Sequence, residues 1–343
     1  MRAVIVAAPG RVAVGERPDP TPLADEVVIK VGACGICGTD LHIVDGEFPP
    51  APYPLVPGHE FAGEIVAVGT GVTGWHAGDR VAVDPSLFCG HCSYCRRLRG
   101  NLCTNWGAIG DTVDGGFADY VRVPAANCYR LPEGMSYSEA ALIEPTACAV
   151  HGLNRLRLRL GSSLLITGAG TMGLLLLQLA RVAGAADIAM VDREASRLDL
   201  ARRFGASLAV TSVEAAQAAQ ADGYDYVIEA TGVGAVAQQA FAAVRRGGTF
   251  LVFGVAPAEA RLQISPFAVY NQEVTLLGSM AVLSTFDPAM RVLRSGVIDA
   301  ANLITHMVPL SEFPRALQLA RERAGLKVQV VPADPAGGRR REK

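Results

Sequence analysis

The sequence predicts an α/β protein in two parts: a β-rich part built from both ends of the chain, and a doubly wound parallel sheet between them. Three observations carry this. Residues 163–278 alternate short β-branched or leucine-rich runs with longer amphipathic stretches, the rhythm of parallel strands joined by crossover helices. A glycine fingerprint, Gly168-Ala-Gly170-Thr171-Met172-Gly173, sits at a strand-to-helix junction in that region. All eight cysteines lie at or before Cys148, so the middle of the chain has none. A length of 343 residues also favours about two domains.

Taken in order, residues 1–6 are too short an apolar run for a secretory signal and are ended by Pro9, Gly10 and Arg11. Glycine- and proline-broken strands are expected at 26–31, 63–68 and 80–83. In the middle, strands are expected at 164–167, 188–191, 208–210, 226–229, 249–253 and 274–277, with helices between most of them. After these come a helix at 288–295 and a strand at 328–331, too little for a separate core, so the chain returns to its first part. The expected division is 1–148 with 283–343, and 149–282; the Gly- and Arg-rich stretch 337–343 reads as a solvated tail.

Composition narrows the partners. With 31 Lys and Arg against 33 Asp and Glu, the net charge of −2 invites neither nucleic acid nor an anionic membrane. The apolar run 174–177 is soon followed by Gln178 and Arg181, so no membrane span is expected. The expected ligand is a small molecule. Eight cysteines in a long chain without an export signal favour thiolates and metals over disulfides, and a cytoplasmic setting.

Three segments fit Gly-x-Gly-x-x-Gly/Ala, and context separates them. The run from Gly69 to Gly74 leads into a turn rather than a helix. The run from Gly232 to Ala237 lies between strand and helix, but the next strand ends without an acid, so it reads as a second loop beside the ligand. The run from Gly168 to Gly173 follows a strand, opens a helix expected over 172–182, and is followed by a strand ending at Asp192. In a dinucleotide site Gly168 permits the turn, Gly170 lets the pyrophosphate approach and Gly173 allows close helix–strand contact. Asp192 would bond the ribose 2′-hydroxyl and repel a 2′-phosphate, which favours NAD. Arg193, on the same edge, could instead grip a phosphate, and Arg197 is a further candidate cofactor contact.

Two metal-ligand sets precede this fingerprint. Cys89, Cys92, Cys95 and Cys103 offer four sulfurs, the donor set of a closed structural zinc site. Bacterial ferredoxin spacing would need a fourth cysteine three residues on and a following proline, whereas here the gap is seven and Thr104 follows. A nucleic-acid zinc module draws slight support from Arg96, Arg97 and Arg99, which a solvated basic loop explains equally well. The second set is Cys37, the Gly58-His59-Glu60 triplet and Glu144, which can leave one coordination position open. Cys34-Gly-Ile-Cys37 also fits a redox pair, but a thiol exchanger has no need of His59 and Glu60.

Cys37-Gly-Thr39-Asp40-Leu-His42, Gly58-His59-Glu60-Phe-Ala-Gly63 with Gly69, Gly71 and Val72, the four-cysteine lobe, and Gly168–Gly173 with Asp192 occur together. With them the chain resembles zinc-dependent members of the medium-chain dehydrogenase/reductase superfamily, in its polyol and threonine dehydrogenase-like branch. The resemblance implies a GroES-like catalytic domain interrupted by a Rossmann domain, one catalytic and one structural zinc, NAD, and a homodimer or homotetramer. It implies that Cys37 and His59 ligate the catalytic zinc, with Glu144 standing where many alcohol dehydrogenases carry cysteine. Glu144 is the implied third ligand with Glu60 adjacent to the metal, although the two carboxylates can exchange roles within the family. Thr39 would take the alcohol proton and His42 would pass it to solvent, with hydride going to the nicotinamide. The implied substrate is a secondary alcohol on a polyol, sugar alcohol or diol; L-threonine is the alternative. An arginine that sorbitol-type relatives carry after the last Rossmann strand is missing, since no arginine occurs from Gly278 until Arg291. Phe48, Phe117 and Leu283 are candidate pocket walls.

Overall fold

The computed structural model describes residues 1–48 and 50–332, so the stretch 337–343 lies outside the described residues. The chain divides into two units. One comprises Met1–Pro145, Val282–Arg294 and the chain from Asp299 onward; the other comprises Thr146–Ala281 and Ser295–Ile298.

The first unit is built on a mixed seven-stranded sheet in the order Ile304–Pro309, Lys327–Val331, Glu26–Gly35, Glu60–Val68, Arg80–Val83, Cys128–Arg130, with Tyr120–Pro124 also paired to Glu26–Gly35. The C-terminal strand joins antiparallel at Gln329 opposite Gly35 and Val330 opposite Cys34. Its apolar residues Val328 and Val330 enter the same core as Val27, Ile29, Val31, Phe61, Ile65 and Phe313. That burial holds the strand in the first unit.

One expected strand starts earlier than its glycine suggests. Gly63 stands inside Glu60–Val68, not at its edge. A side chain there would place Cβ 2.1 Å from the Lys30 carbonyl oxygen, so the glycine permits close strand approach. Glu60 therefore belongs to the sheet, opposite Gly35.

The second unit holds a six-stranded parallel sheet: Ser162–Thr167, Ala185–Val191, Leu208–Val210, Tyr224–Glu229, Val244–Val252 and Thr275–Gly278. In space these stand third, second, first, fourth, fifth, sixth, the order of a Rossmann sheet, with its switch point between the first and fourth strands. Ser162–Thr167 is buried along its whole length, as an inner strand covered on both faces must be. The helix Thr171–Val182 buries Gly173 through Ala180. No helix among the described residues is long and apolar enough to cross a membrane.

Candidate metal and nucleotide sites

Cys37 caps the helix Gly38–Asp45. Its backbone N–H donates to Asp40 Oδ2 at 2.8 Å, which fixes the thiol at the start of the helix. His59 follows Gly58, whose φ is 103°. A Cβ at Gly58 would sit 2.8 Å from Cys34 Sγ and 2.9 Å from the Phe117 ring, so only glycine lets the chain pass between them. Gly35 clears space in the same way, because a Cβ there would lie 2.1 Å from Glu60 Oε2. The result is that ligand atoms of Cys37, His59 and Glu60 lie within 4.8 Å of one another. Glu144, in the first turn of the helix Ile143–Leu156, is buried but does not join them at that spacing. It is still close enough for its charge to raise the pKa of Lys327.

The ring of charges around this set is built from buried groups. His59 Nδ1 lies 3.0 Å from Asp111 Oδ1 and 3.9 Å from Asp40 Oδ1, which leaves Nε2 for a metal. Burial alone would lower the imidazole pKa, but Asp111 reverses that and holds it well above its ordinary value. Burial pushes the Asp40 carboxyl up to about 7. Glu60 is paired with Lys327 Nζ at 2.6 and 2.7 Å, and the same ammonium donates to the Ile36 carbonyl at 3.1 Å. Burial opposes the Lys327 charge, yet Glu60 holds its pKa above the usual lysine value. A thiol, an imidazole with carboxylates on its other nitrogen, and a buried carboxylate form a donor set that suits zinc.

Thr39 Oγ1 lies 3.9 Å from Cys37 Sγ. One helical turn on, His42 is part-exposed, with Nδ1 2.7 Å from Glu47 Oε2. Cys34 is fully buried, and that burial pushes its thiol well up, the reverse of what a reactive redox cysteine needs. Phe117 is a correction to the expected pocket walls. It is fully buried and packs on Phe313 with ring centroids 5.1 Å apart, so it belongs to the core. Phe48 and Leu283 are partly exposed.

In the four-cysteine lobe, Cys89 and Cys95 sulfurs lie 4.0 Å apart and those of Cys92 and Cys103 3.9 Å apart. Four sulfurs at about 2.3 Å from a zinc form a tetrahedron with edges of about 3.8 Å, so the set fits that ion with little adjustment. Backbone N–H groups already point at the sulfurs: Cys92 N at Cys89, Cys95 N at Cys92, and Asn105 N at Cys103. The N–H of Cys95, with others, pulls the Cys92 thiol down to about 5.

At the glycine fingerprint, Gly168 has φ 93° and Gly170 caps the helix. A Cβ at Gly170 would meet nothing within 4 Å, whereas one at Gly173 would lie 1.8 Å from the Gly168 carbonyl oxygen. One glycine leaves open approach and the other packs the helix on the turn. Thr171 and Met172 are partly exposed in the first turn of that helix. Asp192 closes the turn from the next strand, Oδ2 accepting from Ala169 N at 2.7 Å and Oδ1 from Glu194 N at 3.0 Å. A carboxylate keeps lone pairs beyond these two bonds. Arg193 is exposed and Arg197 half-buried.

Residues 23–133 match the alcohol dehydrogenase GroES-like domain family and residues 171–295 the zinc-binding dehydrogenase family. D-arabinitol dehydrogenase 1 of Uromyces fabae is 38% identical over 317 residues, covering 90% of each chain. The chain belongs to the zinc-binding alcohol dehydrogenase family. A second relative of this dehydrogenase, D-altritol 5-dehydrogenase of Agrobacterium fabrum, is 35% identical and covers 96% of this chain and 99% of its own. The crystal structure of a zinc-binding dehydrogenase from Sinorhizobium meliloti 1021 bound to NADP superposes with a TM-score of 0.92 at 35% identity, covering 96% and 99% of the two chains.

Lys327 and Asp111 escaped the sequence reading of this dehydrogenase. Lys327 opens an apolar strand, and only its pairing across the sheet brings it to Glu60. Asp111 follows a glycine in a loop, with no spacing that ties it to His59. Asp40 lies inside the Cys37–His42 motif, and only its burial marks it as part of the site.

Proposed function

We propose that this dehydrogenase oxidises a secondary hydroxyl of a polyol, sugar alcohol or diol to the ketone, with NAD taking the hydride. The observation that carries the reading is the convergence of Cys37, His59 and Glu60 in one buried cluster. The arabinitol and altritol dehydrogenases among its relatives support polyols as the substrate class.

In this reading Cys37, His59 and one carboxylate, Glu60 or Glu144, hold the catalytic zinc, and Cys89, Cys92, Cys95 and Cys103 hold a structural one. The catalytic ion supplies Lewis acidity that makes a substrate hydroxyl easier to deprotonate. Asp111 and Asp40 keep the His59 ring turned toward the metal. Lys327 compensates Glu60 in its buried position. Thr39, beside Cys37, takes up the hydroxyl proton as a relay, and His42, one turn along the same helix face, hands it to solvent with Glu47 steadying its ring. Gly168, Gly170, Thr171, Met172 and Gly173 receive the pyrophosphate. Asp192 bonds the ribose hydroxyls and disfavours a 2′-phosphate, which makes NAD the preferred cofactor despite the NADP in the Sinorhizobium relative.

The enzyme works as a homo-oligomer through the open edge of the parallel sheet. Thr275–Gly278 is an edge strand, with Leu276 48% exposed and Phe267 and Tyr270 nearby in sequence at 71% and 82%. An apolar, unpaired edge of this kind is what a second copy covers. The eight cysteines form no disulfide among the described residues, which fits a reducing, cytoplasmic setting.

The test is zinc content followed by NADH formation from D-arabinitol, D-altritol, sorbitol and butanediol. Two zinc ions per chain and chelator-sensitive NADH formation with at least one of these are expected. Absence of turnover with every polyol while a simple alcohol reacts would overturn the substrate class.

A further inference from the structure

We infer that Glu229 tunes the enzyme toward the oxidised, cationic nicotinamide. This rests on the NAD-dependent oxidation proposed above. A Rossmann sheet binds its dinucleotide across the switch point, one nucleotide to each half. Here the Gly168 turn and Asp192 belong to the first half, so the nicotinamide nucleotide falls to the second, whose first strand, Tyr224–Glu229, ends at Glu229.

That carboxylate is 1% exposed. It folds back on its own loop: Oε1 accepts from Thr231 N at 2.6 Å and from the Thr231 hydroxyl, and Gly232 N is shared between the two oxygens at 3.1 and 3.3 Å. Its main-chain oxygen accepts from Phe253 N at 3.0 Å and Gly254 N at 2.8 Å. Glycines wall it in. A Cβ at Gly254 would lie 2.9 Å from Oε2, and one at Gly232, where φ is 71°, would lie 2.3 Å from the Val255 carbonyl oxygen. The loop also abuts the pyrophosphate turn, since a Cβ at Gly168 would touch Thr231 Cγ2 at 3.0 Å.

Every donor to Glu229 is neutral, and none of the ion pairs among the described residues includes it. Holding a turn does not require a net charge, because a neutral acceptor meets the same N–H groups without the cost of burying a carboxylate. An uncompensated negative charge becomes useful beside a ring that is cationic when oxidised and neutral when reduced. It stabilises the first and leaves the second nearly unaffected. Glu229 is therefore a specificity residue acting through its field, not a catalytic one.

The experiment measures dissociation constants for NAD⁺ and for NADH, by calorimetry and by NADH fluorescence, on wild type, Glu229→Gln and Thr231→Val. Glu229→Gln should weaken NAD⁺ about tenfold more than NADH, the order expected for one buried charge. Thr231→Val removes a donor but leaves the charge, so its NAD⁺ preference should stay or rise. Equal weakening of both forms in Glu229→Gln would mean that the residue only holds the loop, and would overturn the inference. If Glu229→Gln does not fold, a fall in NAD⁺ preference in Thr231→Val overturns it as well. Wild type that binds neither form would instead remove the nicotinamide reading itself.

Discussion

Replacing Lys327 with methionine tests how the buried acid beside the metal site is held. Glu60 is 1% exposed and its carboxylate meets one hydrogen-bonding partner among the described residues, the Lys327 ammonium at 2.6 and 2.7 Å. Lys327→Met leaves that charge buried and unpaired, a loss of about 3–5 kcal/mol. For domains of about 150–250 residues each kcal/mol moves Tm by about 2–4 °C, so metal-stripped protein should melt roughly 6–20 °C lower. With zinc bound, Glu60 has a cation beside it again and the loss should shrink. The double variant Glu60→Gln with Lys327→Met should recover at least half of the stability, because no charge is then stranded. The assay is urea and thermal unfolding of stripped and zinc-loaded protein across this cycle. A loss of less than about 1 kcal/mol in stripped Lys327→Met, or strict additivity in the cycle, would refute the pairing as the source of the effect.

Asp40 predicts a pH dependence. Its folded pKa of about 7 lies above the ordinary 3.8, so the fold favours the protonated acid. That contribution is complete below the ordinary value and is lost as pH rises through about 7, so up to about 4 kcal/mol disappears across the window in stripped protein. Asp40→Asn should flatten that part of a urea-midpoint series. Cys103→Ser should reduce zinc from two ions per chain to one and lower the melting temperature; unchanged zinc content would remove Cys103 from the lobe. Thr39→Ala should lower turnover about a hundredfold with NAD affinity within about twofold of wild type, and equal loss of both would end its relay role.

What could be read from the sequence was whatever a local pattern encodes. The glycine fingerprint is legible because turn, cap and helix contact fall within six residues, from Gly168 to Gly173, and the four-cysteine lobe because all its ligands lie between Cys89 and Cys103. The inner strands of the parallel sheet were legible because they are covered on both faces and so carry apolar runs. Cys37 and His59, 22 positions apart, were found through the motifs around each rather than through any visible contact.

Tertiary structure decided what depends on register and burial. Strand pairing sets Glu60 opposite Gly35 and brings Lys327 from the far end of the chain onto the same carboxylate. Nothing near Lys327 in sequence marks that encounter, because a cross-sheet contact leaves no periodicity in either strand. The same is true of Asp111 against His59, of Phe117 in the core rather than in a pocket, and of Glu229, whose sequence neighbours do not reveal that its charge is sealed beneath a glycine loop. The sequence alone specified which donor atoms and folds were available. The fold determined which charges face one another in a low-dielectric interior, where separation and desolvation set their energies.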